Sequence, residues 1–125
     1  MPTFGTTPVV FGGCVIDRVR FRRKLPDDRW YVYAAGLVNP GDGSTATIEL
    51  VYQKDDNTFV AIGSTTQAGA GEVKKVMGPF SLFDTPGVPS NELIPVIRIR
   101  ASKSGGVEGT LKTWHVFVEL LPSIQ

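Results

Sequence analysis

The chain has 125 residues, 42% of them hydrophobic, and its 13 basic and 12 acidic side chains leave a net charge of +1. That length is one domain, able to bury a core without disulfides, and the single cysteine, Cys14, permits no internal one. Near-neutrality excludes the bulk attraction of a free nucleic-acid binder, and no apolar run reaches the roughly 18 residues that a membrane-spanning helix needs.

Residues 1–13 are rich in Gly, Thr and Pro, with one apolar cluster, Val9-Val10-Phe11. They read as an extended N-terminal arm, loose or pinned against a neighbour. They lack the basic start of a signal peptide, so no leader is expected. Residues 14–125 are expected to form a single domain. CVIDRVRF (14–21) is β-branched and partly alternating, and RWYVYAAGLV (29–38) is an aromatic strand that ends at the turn NPGDGS.

TATIELVYQ (45–53) alternates Ala46, Ile48, Leu50 and Tyr52 against polar neighbours, the mark of a half-buried strand. KDDN turns the chain into TFVAIG (58–63), forming a hairpin, and 64–72 reads as a flexible loop. VKKVM (73–77) is a short strand. The three prolines of 78–92 are expected to keep regular structure out of that segment, with Leu82 and Phe83 plugging one end of the core. In LIPVIRIRA (93–101), Ile97, Ile99 and Ala101 share one face and Val96, Arg98 and Arg100 the other. SKSGGVEG is a turn. TLKTWHVFVEL (110–120) puts Trp114, Val116, Val118 and Leu120 on one face and Thr113, His115, Phe117 and Glu119 on the other.

No segment carries an apolar stripe of helical period. The expected fold is all-β, an antiparallel β-sandwich or jelly roll of seven or eight strands behind an extended N-terminal arm, with a closed barrel as the alternative. The 14 glycines and 9 prolines, spread in short clusters, supply the turns such a fold needs.

Reactive chemistry is sparse. Any Ser-His-Asp or Cys-His arrangement must use His115, the only histidine, and no nucleophile elbow accompanies it. One His and one Cys do not make a zinc site. Asp55-Asp56-Asn57 lacks the spaced acids of a calcium loop and reads as a hairpin tip. The glycine pairs near 69–71 and 105–106 lead into no Lys-Ser/Thr pair and helix, so they are not phosphate cradles. Glu49, Glu108 and Glu119 lie on or near strands, and nothing in their spacing singles out a catalytic pair. No enzyme, metal or cofactor is expected.

Two patterns point to binding. In DRVRFRRKL, an extended backbone sets Arg18, Arg20 and Arg22 on one face, with Arg23 beside them and Val19 and Phe21 behind. Arg98 and Arg100 repeat the pattern. Such stripes are either wet sheet faces with cross-strand ion pairs or docking faces for an acidic protein surface. The aromatics lie mostly outside these runs and form no stacking platform, so no direct nucleic-acid contact is expected. The aromatics Trp30, Tyr31, Tyr33 and Trp114 are either core filling or, if outward, a sugar-stacking platform. Tyr31 and Tyr33 lie opposite Trp30 and Val32, so only one of these sets faces the core.

The order of RWYVYAAGLVNPGDGSTATIELVYQ, a Gly/Ala loop and IPVIRIRASKSGGVEGTLKTWHVFVEL resembles the small jelly-roll decoration or cement proteins of tailed-bacteriophage heads. The resemblance implies a non-enzymatic structural virion protein, often trimeric. It would sit on the capsid exterior, bind the major capsid protein or another protein shell, and stabilise it by bridging neighbouring subunits. The arm, with Val9, Val10 and Phe11, would lie on adjacent subunits, and Arg18, Arg20, Arg22 and Arg23 would add charge complementarity. No membrane is involved in this reading. The alternative is a carbohydrate-binding, lectin-like sandwich module using Trp30, Tyr31, Tyr33 or Trp114. An enzyme on the same scaffold is the third reading.

Overall fold

The computed structural model describes residues 3–17, 29–89 and 91–121. Its strands are β1 (Thr3–Phe4), β2 (Val9–Val15), β3 (Arg29–Asn39), β4 (Thr45–Gln53), β5 (Phe59–Ala68), β6 (Val73–Ser81), β7 (Val96–Lys103) and β8 (Gly109–Leu121). They form two four-stranded antiparallel sheets, ordered β1-β8-β3-β6 and β2-β7-β4-β5. The pairing is nested, with β4 on β5, β3 on β6, β2 on β7 and β1 on β8. That is one long hairpin wound into a jelly roll. The chain is therefore an all-β sandwich, as its alternation predicts, and its strands lie in two separate sheets rather than one closed barrel.

Period-two patterning sets the core. Trp30, Val32, Ala34 and Val38 of β3 face Ala46, Ile48, Leu50 and Tyr52 of β4 and Ile97, Ile99 and Ala101 of β7. Their alternate neighbours on β3 and β7 remain half-exposed. Leu82 plugs one end, fully buried, with its N–H donated to Trp30 O at 2.9 Å. Phe83 packs partly against the same cluster.

Four boundaries differ from the sequence reading. Within the stretch read as an arm, Thr3–Phe4 and Val9–Val15 are strands of the two sheets, and Phe4 is a core residue, 1% exposed. Of the strand expected over 14–21, Cys14 and Val15 belong to a strand that begins earlier, at Val9, because Phe11 and Cys14 pair with Ile99 and Ile97 and pack on the core, while 18–21 lie outside the described residues. β5 continues to Ala68, since the polar Ser64–Ala68 still pairs with Thr45–Glu49. β6 runs through Pro79 to Ser81. It is an edge strand, where a missing N–H costs no ladder bond.

The two strands flanking β3, β8 and β6, carry bulges that re-aim their side chains. On β8, Thr113 and Trp114 together oppose Gly36, because Ala35 pairs with His115 and Leu37 with Lys112. Thr113 takes φ 54°, a left-handed conformation unusual for a β-branched residue. The extra residue lets Leu111 and Trp114 both point inward. The Trp114 indole then lies across Gly36, where any Cβ would fall 2.4 Å from the ring. Its Nε1 donates to Leu37 O at 2.8 Å. On β6, Gly78 and Pro79 oppose Tyr33. Gly78 has φ 101°, and a Cβ there would fall 2.5 Å from that of Tyr33.

At the end opposite Leu82, the parity of Ile97, Ile99 and Ala101 carries Lys103 inward too. Its side chain is fully buried and its ammonium donates to Pro40 O, Val107 O and, at 3.2 Å, Asp42 Oδ1. Three N–H donors meet three oxygens, which is what burying an ammonium requires. Asp42 also accepts from Ser44 Oγ at 2.5 Å and from the N–H groups of Ser44 and Val107, both at 2.9 Å. The Ser44 and Val107 bonds, with a smaller part from Lys103, hold the Asp42 carboxyl well below the usual carboxylate range. This network ties the 40–44 loop to the 104–108 loop.

Gly78→Ala is expected to lower stability by about 1–3 kcal/mol, through left-handed strain and the clash with Tyr33, read as a shifted denaturant midpoint. Lys103→Met, which leaves the Pro40 and Val107 carbonyls without their donor, is expected to cost about 1–3 kcal/mol in the same measurement. Asp42 has a lower pKa folded than unfolded. Its contribution is therefore complete above the unfolded value of about 3.9 and is lost as pH falls below it. Asp42→Asn is expected to flatten that acid-side loss in melts recorded against pH.

Candidate docking surfaces

β2 is the edge strand of the second sheet, and no strand pairs with its outer side among the described residues. Its sequence, VVFGGCV, holds no charge and no proline. Val10 and Val15 share a face with Arg100 and Arg98, while Phe11 faces the core; Val9, Val10 and Val15 are exposed. The other edges are better guarded. β6 carries Lys74, Lys75, Pro79 and a bulge, β5 ends in polar residues, and β1 is two residues long. Charge, proline, bulges and shortness are the usual defences of an edge against strand-to-strand association. β2 has only the irregularity at Gly12.

The Arg18, Arg20, Arg22 and Arg23 stripe lies outside the described residues. The second stripe finds hydrogen-bond partners within its own sheet. Arg100 makes a two-pronged pair with Glu49, at 2.8 and 3.2 Å, and Arg98 Nε donates to Gln53 Oε1 at 2.5 Å. The cross-strand ion-pair reading describes Arg100, whereas Arg98 meets a neutral amide.

The aromatics separate by face. Trp30 is 4% exposed and in the core, and Trp114 lies half-buried against Gly36. Tyr31 and Tyr33 are on the outer face of the first sheet, in register with Glu119 and Phe117. Tyr33 and Phe117 stack with centroids 5.5 Å apart, and His115 tilts against Phe117 at 6.4 Å. Val76 and Phe117 of this face are 60% and 42% exposed. The two tryptophans are thus not part of an outward platform. Phe117 was not singled out from the sequence, although the β8 alternation already set it beside His115.

Between β2 and β8 the side of the sandwich is open among the described residues. A cavity of about 780 Å³ lies there, lined by Cys14, Ile16, Trp30, Val116, Val118 and Leu120. A smaller one of about 440 Å³ lies between Phe11 and Trp114. The first is walled mainly by apolar side chains, and burial pushes the Cys14 thiol up. Neither brings acids together. Glu49 and Glu119 are on opposite outer faces of the sandwich, and Glu108 lies in the 104–108 loop. His115 is exposed on a sheet face.

A third hollow, about 270 Å³, holds Tyr52, Asp55, Asp56 and Glu92. Tyr52 donates to Glu92 at 2.8 Å, and burial, reinforced by Glu92, pushes its hydroxyl up to about 12. Asp56 accepts from Thr58 Oγ1 at 2.6 Å and from its N–H at 3.1 Å, bonds that lower its own pKa and close the hairpin. Asn57, with φ 66°, completes the turn. Among the described residues no group of three or more His, Cys, Asp or Glu is placed to hold a metal ion.

No protein-family model, curated protein or solved structure matches the chain.

Proposed function

We propose that this chain is a structural, non-catalytic subunit that docks on a larger protein shell. In this reading it is a protein of the capsid-decoration type on the exterior of a virus particle, bridging neighbouring shell subunits and working as a homo-oligomer. The observation that carries the proposal is the unguarded strand β2. An uncharged edge with exposed Val9, Val10 and Val15 invites backbone pairing with another chain. The jelly roll supports it by analogy, since shell and lectin domains both use that fold. Weak contacts of this kind gain strength when several engage one particle at once. The Arg18–Arg23 stripe is assigned to charge complementarity with an acidic shell surface.

The lectin-like reading is favoured by a different observation, the Tyr33–Phe117 stack on an open sheet face. Rings presented in this way suit the apolar face of a sugar.

Co-sedimentation of the full chain with assembled candidate shells tests the first reading. Attachment is expected to weaken as salt rises and to fall at least about tenfold for Val10→Lys, which puts a charge on the β2 edge. Arg20→Glu is expected to weaken it at low salt. Attachment indifferent to salt and to both substitutions overturns the assigned surfaces. A glycan-array signal that disappears with Tyr33→Ala, together with no particle binding, moves the assignment to a sugar module.

A further inference from the structure

We propose that the outer face of the first sheet is a two-fold contact with a second copy of this chain. The inference goes beyond the shell reading and stands without it, because it concerns a different surface from β2.

The argument is self-complementarity. A two-fold contact pairs residue i with residue j and j with i. Along β3 and β8 the outward residues form rungs: Tyr31 with Glu119, Tyr33 with Phe117, Ala35 with His115, and Leu37 with Lys112. Take an axis lying in the plane of the contact, across the strands, between the second and third rungs. It sets each rung on its opposite number in the second copy. Tyr33 then meets Ala35 and Phe117 meets His115, so large side chains meet smaller ones at the centre. Glu119 meets Lys112 twice, once at each end.

The remaining charges raise no conflict. Lys74 lies on the Leu37 rung of β6, and its counterpart is the rung of Ser81. Arg29, one rung beyond Glu119, meets the rung of Asn39 and Thr110. Lys112 does face Glu72 of its own chain, but at 4.0 Å, with both side chains nearly half exposed. An exposed pair at that distance holds little, and it leaves Lys112 available.

The apolar character of the face fits a copy rather than water. Val76 and Phe117 are among its most exposed members, and Tyr31, Tyr33, Ala35 and Leu37 are half-buried around them. Sheets pack face to face through such side chains, about 10 Å apart and within about 30° of alignment. The charged ends favour this direction: a copy with its strands parallel, about an axis midway between β3 and β8, would set Glu119 on Tyr31 and Lys112 on Leu37, leaving both charges unanswered.

Sedimentation equilibrium of the full chain, with circular dichroism melts to verify folding, tests this. The wild type is expected to give a concentration-dependent species of twice 13.5 kDa. Lys112→Glu and Glu119→Lys are each expected to weaken it at least about tenfold, since like charges then face each other across the contact. The double variant, Lys112→Glu with Glu119→Lys, is expected to restore it, because both pairs across the contact are regained with their signs reversed and the exposed Glu72 contact holds little. Phe117→Asp at the centre is expected to abolish it. A chain that stays monomeric, a dimer indifferent to Phe117→Asp and the single swaps, or a double variant no better than the singles overturns the proposal. A trimer overturns it as well. A monomer that still attaches to shells overturns this contact alone and leaves the shell reading standing.

Discussion

Phe80 reaches across from the first sheet and rests on Gly63 of the second, in space that a Cβ at position 63 would fill to within 2.3 Å of the ring. That seat joins the two sheets on the β5–β6 side. The same device recurs within the first sheet, where Trp114 lies across Gly36. Both rings need the missing side chain opposite them. Both glycines therefore act through volume, and their neighbours in the core are spaced by how far the rings sink.

Among the described residues the opposite side has no such seat. Between β2 and β8 the layers part, and the apolar cavity behind Cys14, Ile16 and Trp30 occupies the gap. Among the described residues the sandwich is thus asymmetric, with a closer flank at β5–β6 and a wider one at β2–β8, and the least defended strand borders the wider flank. Charges show the same division. Glu49 and Arg100 answer each other within the second sheet, whereas Glu119 on the first has only aromatic and alanine rungs between itself and Lys112. Residues satisfied at home build the scaffold, and those left over face outward.

Much of the architecture was legible in the alternation. The inward sets of β3, β4 and β7 follow directly from it, as do the Asp55–Asn57 hairpin tip and the plug at Leu82. The boundaries were less so. Ser64–Ala68 has the composition of a loop and is held as strand by partners far along the chain, and Pro79 is allowed only because β6 turned out to be an edge. Val9–Val15 looked like an arm because its apolar residues had no visible partner until β7 came beside it. Lys103 was read as part of a turn. Its inward parity was written in the spacing of Ile97, Ile99 and Ala101, but burying a lysine makes sense only once Pro40, Asp42 and Val107 supply the oxygens. Two of the proposed surfaces could be named from residues alone. The rung order across β3 and β8 could not, because it depends on a bulge at Thr113 that shifts the register.

The nested winding also governs how the molecule is made. Thr3 pairs with Thr110, so the first strand laid down waits for almost the last. Contacts so distant along the chain delay assembly, since loop entropy is spent before any pairing rewards it. On a ribosome, the 45–68 hairpin is the one pair that forms as it emerges. Every later strand must find a partner synthesised earlier, working outward from the hairpin, and β2 stays unpaired on both sides until β7 appears.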